Sequence, residues 1–226
     1  MVRGLSAEAG WRIEAARAIK HFHSLQDLAL RAQLSTTELQ ALAAANTLAS
    51  LAGHRHEARW HAAVAAPGKG LLRDAAPAED AISLLSPSEA HSIVADYHAL
   101  GLTLGRHPLA LLRAQLLAQR FLTAEVLHTF SNGQFARGCG IVTGRQRPGT
   151  ANGTVFLSLE DESGIVNVIV WPALAQLQRK ELLHASLLGV YGIWQSENNV
   201  HHLIAKRLVD LSYLLGALSI SSRDFY

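Results

Sequence analysis

Apolar positions recur every three or four residues over the first 65 positions, the spacing that lays an apolar stripe along a helix. "SAEAGWRIEAARAIK" opens on Ser6, a residue suited to capping a helix, and puts Ala9, Ile13, Ala16 and Ile19 on one face. "SLQDLALRA" opens on Ser24 and groups Leu25, Leu28 and Ala29. "STTELQALAAA" opens on Ser35 with Glu38 three residues later, the reciprocal arrangement of a capping box. "HRHEARWHAAV" continues as one further helix. From Ala66 to Glu89 the period dissolves among prolines, glycines and mixed charges, which reads as a linker. Helix returns in "IVADYHALGLTLGRHPLALLRAQLLAQR", interrupted at Gly101 and again at Pro108, a residue that fits the first turn of a new helix.

After Asn132 the period drops to two. Strands are predicted over roughly 134–142, 154–160, 165–171, 186–195 and 199–209. "DESG" turns between the second and third, and "SENN" between the fourth and fifth. "PALAQLQRKELL", Pro172 to Leu183, reads as a helix between the third and fourth. Five strands with a helix in that position is the element order of an OB-fold barrel, whose first and fourth inter-strand loops flank a ligand face. The predicted fold class is therefore α+β and multidomain, a helical part followed by a five-stranded OB barrel.

Composition narrows the class. The chain has 226 residues, 49% hydrophobic and 17% charged, which suits one or two globular domains. A net charge of +2 and a pI near 8.9 favour anionic partners only weakly. The balance is +2 over 1–65, −1 over 66–130 and +1 over 131–226. A single cysteine, Cys139, excludes an internal disulfide and a cysteine-based zinc site, and reads as a small buried apolar residue. "LLHASLLGVYGIWQ" is too short to span a bilayer and "MVRGLSAEAGW" lacks a signal-peptide core, so a soluble, cytoplasmic protein without membrane contact is expected.

The candidate chemistry is that of nucleic-acid contact. "GRQRPGTANG" sets Arg145 and Arg147 beside glycines, in the loop predicted from Arg145 to Gly153, where fixed charge and close backbone approach suit a phosphate. A solubilising hairpin loop is the plainer reading. Alternation in "TVFLSLE" turns Val155, Leu157 and Leu159 inward and leaves Phe156 outward to stack on a base. Trp171, beside Pro172, is expected to pack under the helical part instead. Arg137, Lys206 and Arg207 lie on the first and fifth strands and join the candidate set. "VRGLSAEAGWRI" puts Arg3 and Gly4 just before a capped helix, where backbone amides can meet a phosphate. Asn46 occupies the corresponding turn further on, and tolerates a left-handed conformation. "EDESG" gathers Glu160, Asp161 and Glu162, but consecutive residues before Ser-Gly form a turn rather than a two-metal site. The twelve histidines show no HExxH spacing. No cofactor and no metal are expected.

These residues carry a family resemblance. "VRGLSAEAGWRIEAAR", "SLQDLALRAQLSTTELQALAAANTLASLAGHRHEARW", "ADYHALGLTLGRHPLALLR", "RQRPGTANGTVFLSLEDESGIVNVIVWP" and the ending "SRDFY" together resemble, in order, the C-terminal portion of bacterial error-prone DNA polymerase. This is the damage-inducible relative of the replicative polymerase III alpha subunit. The resemblance implies a tandem helix-hairpin-helix module over 1–65, its first motif truncated. It implies a linker and helical connector over 66–130, a nucleic-acid-binding OB domain over 131–212 and a C-terminal tail over 213–226. It implies that the family's polymerase and phosphoesterase-like domains, with the catalytic carboxylates, lie upstream without a counterpart here. The chain is then a fragment, a split gene product or a remnant. Alone it is expected to be inactive, with no catalytic residue of its own.

The implied role is holding single-stranded template and primer–template duplex during repair and replication synthesis, with other repair or replication proteins as further partners. The competing reading is a protein-interaction module, in which the barrel and "ISSRDFY" dock onto such a partner. Hydrolysis by the "EDE" turn is a third, enzymatic reading.

Overall fold

Short polar caps set the helix starts near the N-terminus. The amide of Ala9 donates to Ser6 Oγ at 3.1 Å and opens α1 (Ala7–Ile19). The amide of Asp27 donates to Ser24 Oγ at 3.1 Å and opens α2 (Leu25–Arg31). Ser35 and Glu38 form the anticipated capping box at α3 (Thr36–Ala44), where two amides otherwise left without intrahelical partners are satisfied. α4 (Ala49–Ala52), α5 (Arg55–Val64) and α6 (Glu89–Leu100) follow. The computed structural model describes residues 2–64, 84–197, 200–216 and 223–225, in two compact units, Met1–Leu104 and Gly105–Tyr226. Most of the expected linker lies outside the described residues. The expected connector is divided, because α6 belongs to the first unit and the helices after Gly105 to the second.

The first unit is built on Leu25, Leu28, Leu34, Leu39 and Leu42, with Ala9, Ala43 and Ala58 letting the helices approach closely. Each fully buried leucine contributes about 1.5–3 kcal/mol. α2 and α3 end alike. Gln33 (φ +51) and Asn46 (φ +56) take the left-handed conformation, and the next amides reach back to Ala29 O at 3.0 Å and Leu42 O at 3.2 Å. The turn expected at Asn46 is thus a helix stop. The apolar stripe of α1 is shorter than expected. Ala9 and Ala16 are buried, but Ile19 is 86% exposed, and the Arg31 guanidinium closes this helix end by donating to the carbonyls of Ala16 and Lys20.

The second unit opens with α7 (Pro108–Ala118), Pro108 at its first turn as expected, and α8 (Ala124–Leu127). The strands are β1 (Phe135–Gln146), β2 (Val155–Asp161), β3 (Gly164–Val170), β4 (Leu187–Glu197) and β5 (Val200–Asp210). β1 pairs antiparallel with β4 along its first half and with β2 along its second. β2 pairs with β3, β3 runs parallel to β5, and β5 pairs with β4, which closes a five-stranded barrel. Leu157, Leu159, Val168, Val190, Trp194 and Leu203 fill it. Trp194 is therefore core. Cys139 on β1 is 3% exposed, and burial pushes its thiol up to about 12, against the opposing pull of Arg113. A short sixth strand, β6 (Arg223–Phe225), runs parallel along Gly144–Gln146 of β1.

The helix expected over Pro172 to Leu183 is two, α9 (Pro172–Leu177) and α10 (Arg179–His184), broken at Gln178. The side chain of Gln178 turns to the barrel and meets one backbone unit of β5 twice. It donates to Leu208 O at 2.8 Å and accepts from Leu208 N at 2.7 Å. These bonds satisfy a strand residue and interrupt the helix.

Candidate nucleic-acid interface

Two β-bulges decide which side chains the barrel presents. In β1 the register shifts between Val142 and Gly144, leaving Thr143 without an opposite residue, its hydroxyl donating to Ser158 O at 3.3 Å. Past this bulge the alternation inverts. Arg145, opposite Leu157, turns inward, while Gly144 and Gln146, opposite Ser158 and Phe156, turn outward. In β5 the shift falls between Tyr191 and Gly192 of its partner strand, so Lys206 is the extra residue. Lys206 and Arg207 are consequently both exposed, although adjacent on one strand. Gly192 is fixed by the same bulge, since a Cβ there would lie 2.2 Å from Ile204 O.

Arg145 corrects the sequence reading. It belongs to β1, not to the loop, and is only 6% exposed. Its guanidinium donates to Leu182 O at 2.8 Å and to Ala185 O, fastening α10 to the barrel. Arg147 does lie in the loop and is exposed. The loop turns through Asn152 (φ +49) and Gly153 (φ +83), and Arg147 Nη2 lies 3.5 Å from where a Gly153 Cβ would sit. Any side chain at Gly153 would therefore combine backbone strain with contact against that guanidinium.

Phe156 is on the outer surface, half-buried, opposite Ile169 of β3. Ser158 and Asn167 pair beside it, their oxygens 3.5 Å apart. With Gln146 and His202 they enclose a recess of about 210 Å³, and Phe156 also borders a second of about 440 Å³ shared with Ile169 and Trp171. Trp171 departs from expectation, since it is 51% exposed at this recess. Phe156 thus stands between Gln146, Ser158, Asn167 and His202 on one side and a recess on the other that Ile169, Trp171 and Pro172 line together with Thr150, Asn152 and Thr154. Such a surface accepts a base by stacking at about 1–3 kcal/mol and holds its edge by hydrogen bonds. Gln146 and His202 were not picked out from the sequence as nucleic-acid contacts. The bulge that turns Gln146 outward leaves no mark in hydrophobic periodicity.

Arg137 and Arg207 occupy another face. Both stack on Tyr191 of β4, their guanidinium carbons 4.9 and 5.5 Å from the ring centroid, with Phe121 edge-on beneath at 5.5 Å. Lys206 flanks Arg207 at the bulge. This is a cation–aromatic stack on the β1–β4–β5 side, so the structure does not bring these three residues together with Phe156.

In the helical unit Gly4 turns the chain into α1 with φ +84. Arg3 is exposed, but its side chain donates to His98 O at 3.1 Å and its amide to Ala99 O at 2.9 Å, closing the end of α6. Arg55, 4% exposed, donates to Ala44 O at 2.9 Å and Ser92 O at 3.1 Å and pairs with Asp96.

The acidic turn has structural work. Asp161 accepts from Ala124 N at 2.8 Å, Ser163 N at 2.7 Å, Gly164 N at 3.1 Å and Arg113. Arg113 also pairs with Glu162; burial there opposes ionisation, but these hydrogen bonds outweigh it and hold the Glu162 carboxyl below its usual range. His107 is held below its usual value by burial, against the opposing pull of Glu160. Among the described residues no group of three or more His, Cys, Asp or Glu could hold a metal, and no helix is long and apolar enough to cross a membrane.

A helix-hairpin-helix part followed by an OB barrel defines a nucleic-acid-binding module. Residues 1–58 match the family of helix-hairpin-helix motifs, and residues 138–211 match the OB-fold nucleic acid binding domain. The chain is similar over its full length to error-prone DNA polymerases. It is 55% identical over 228 residues to that of Ralstonia nicotianae and 53% identical over 232 residues to that of Bordetella parapertussis. It spans only 21% and 22% of those relatives' lengths, in keeping with their C-terminal portion. Among solved structures, asparaginyl-tRNA synthetase from Pyrococcus horikoshii aligns with a TM-score of 0.34 at 20% identity, covering 41% of this chain and 23% of that one.

Proposed function

We propose that this chain is a non-catalytic DNA-binding region that holds single-stranded template and primer–template duplex for error-prone synthesis during DNA repair. The observation that carries the reading is the outer face of β1, β2, β3 and β5. There Phe156 stands among Gln146, Ser158, Asn167 and His202, with exposed Arg147 on the adjoining loop. The similarity to error-prone DNA polymerases and the two matched nucleic-acid-binding families support it. Arg147 supplies charge without base selectivity, and Phe156 supplies stacking that tolerates any base.

Nucleotidyl transfer is assigned to other parts of such a polymerase. The acidic cluster of this chain is committed to its turn, with both Asp161 oxygens already accepting hydrogen bonds. Purified chain is expected to add no nucleotide to a primed template with magnesium, and incorporation abolished by Asp161→Ala would overturn that assignment.

The binding test is a salt titration with single-stranded DNA. Affinity is expected near micromolar or weaker at physiological salt, with a negative slope against log salt. Phe156→Ala should weaken binding about 5- to 150-fold with little change of slope, since stacking releases no counterions. No binding at low salt would return the barrel to the protein-docking reading.

A further inference from the structure

Beside the barrel, away from the Phe156 recess, a cavity of about 480 Å³ opens between the β1–β2 loop and the α9–α10 pair. Its chemistry is one-sided. Arg145, Arg147 and Arg179 all line it, and among the described residues no aspartate or glutamate does. Asn152 and Gln176 add amides, and Leu182 is among the apolar residues of the wall. Arg145 is fixed by its bonds to the α10 end. Arg147 and Arg179 are exposed guanidiniums able to approach a ligand with paired donors.

The volume suits one small molecule rather than a length of strand. A ligand matched to this lining is strongly anionic at one end and apolar at the other. An internal phosphodiester carries a single charge. A terminal phosphomonoester carries about −1.5 to −2 near neutral pH and presents three free acceptor oxygens. We propose that this cavity is a binding site for a nucleoside carrying a terminal phosphate, either a free nucleotide or the phosphorylated end of a DNA strand. Arg147 and Arg179 take the phosphate and the apolar wall takes the nucleoside. This site is distinct from the strand-binding face and does not depend on it, although Arg147 borders both.

The test uses the full chain and one single-stranded sequence bearing a 5′-phosphate, a 3′-phosphate or only hydroxyl ends, followed by fluorescence anisotropy. One of the phosphorylated strands should bind about tenfold more tightly than the hydroxyl-ended one. The preference should decline below about pH 6, where the dianionic phosphate takes up a proton and becomes a monoanion. Arg179→Ala removes a phosphate ligand, and Gln176→Glu introduces a carboxylate beside Arg179 and Arg147. Both residues are exposed, so the fold should survive, and each variant should erase the preference while leaving the hydroxyl-ended strand unaffected.

Equilibrium dialysis with dAMP separates the sources. Retention of dAMP that Arg179→Ala abolishes identifies a free nucleotide as a ligand. A strand-end preference without dAMP retention identifies the strand end. If no strand binds, the strand-face reading fails, while dAMP retention sensitive to Arg179 still supports the cavity site. Equal binding of all three strands together with no dAMP retention would overturn the proposal, as would a preference that survives both substitutions.

Discussion

The two units use arginine differently. In the helical unit Arg3, Arg12, Arg31 and Arg55 each donate to main-chain carbonyls at or beside helix ends. In the barrel, Arg137 and Arg207 stack on an aromatic ring, while Arg147 and Arg179 stand exposed around a cavity. The cause lies in the backbone. Every helix leaves carbonyls unpaired at its C-terminal end and can recruit a guanidinium to them, whereas strand carbonyls are already paired in the ladder. A positive residue in the helical unit is thus weak evidence of a ligand surface. In the barrel it is stronger evidence, and Arg145 shows the exception, because its carbonyl partners sit at the end of α10.

Substitutions can break this comparison, beginning with the largest effect. Arg55→Ala should cost about 3–5 kcal/mol of unfolding free energy in urea, since Asp96 is left largely buried without its cation. An effect under 1 kcal/mol would show that the helical arginines are not structural. Arg145→Ala should cost about 1–3 kcal/mol, from carbonyls of Leu182 and Ala185 left buried without a donor. A thermal melt unchanged from the parent would return Arg145 to the ligand surface.

The next prediction concerns acid. Burial opposes ionisation of the Glu162 carboxyl, but its hydrogen bonds and the Arg113 charge outweigh that and hold it below the usual carboxylate range. Its contribution is present above the unfolded value and is lost as pH falls through the depressed folded one. Stability should drop below about pH 4.5, and Glu162→Gln should make that drop shallower while leaving the two proteins alike in strong acid. The smallest expected change in stability is at Arg147. Its replacement by Ala should shift stability by less than about 0.5 kcal/mol, yet lower the single-strand salt slope by about 0.7.

Much of the fold is legible in the sequence. The three serine caps, the Ser35–Glu38 box and the alternation of β2 and β3 are local signals, and each appears in the structure where the residues put it. The short α4 and α8 offer too few residues for a periodic pattern. The two bulges are invisible for a different reason. A single unpaired residue leaves composition unchanged but inverts everything after it, which moves Arg145 inside and brings Gln146 to the face. The break at Gln178 depends on a partner thirty residues away, and no local propensity encodes it. Phe156 was therefore read correctly as an outward residue, Arg145 was not, and the cavity beyond it was not read at all.

The burial of Cys139 gives the barrel its own clock. It is the only thiol in the chain, and its proton is held so firmly that the reactive thiolate is scarce in the closed state. An alkylating reagent must wait for β1 to leave the interior. The rate of labelling, followed by mass, therefore counts openings of the barrel without an introduced label, and hardly reports on the helices at all.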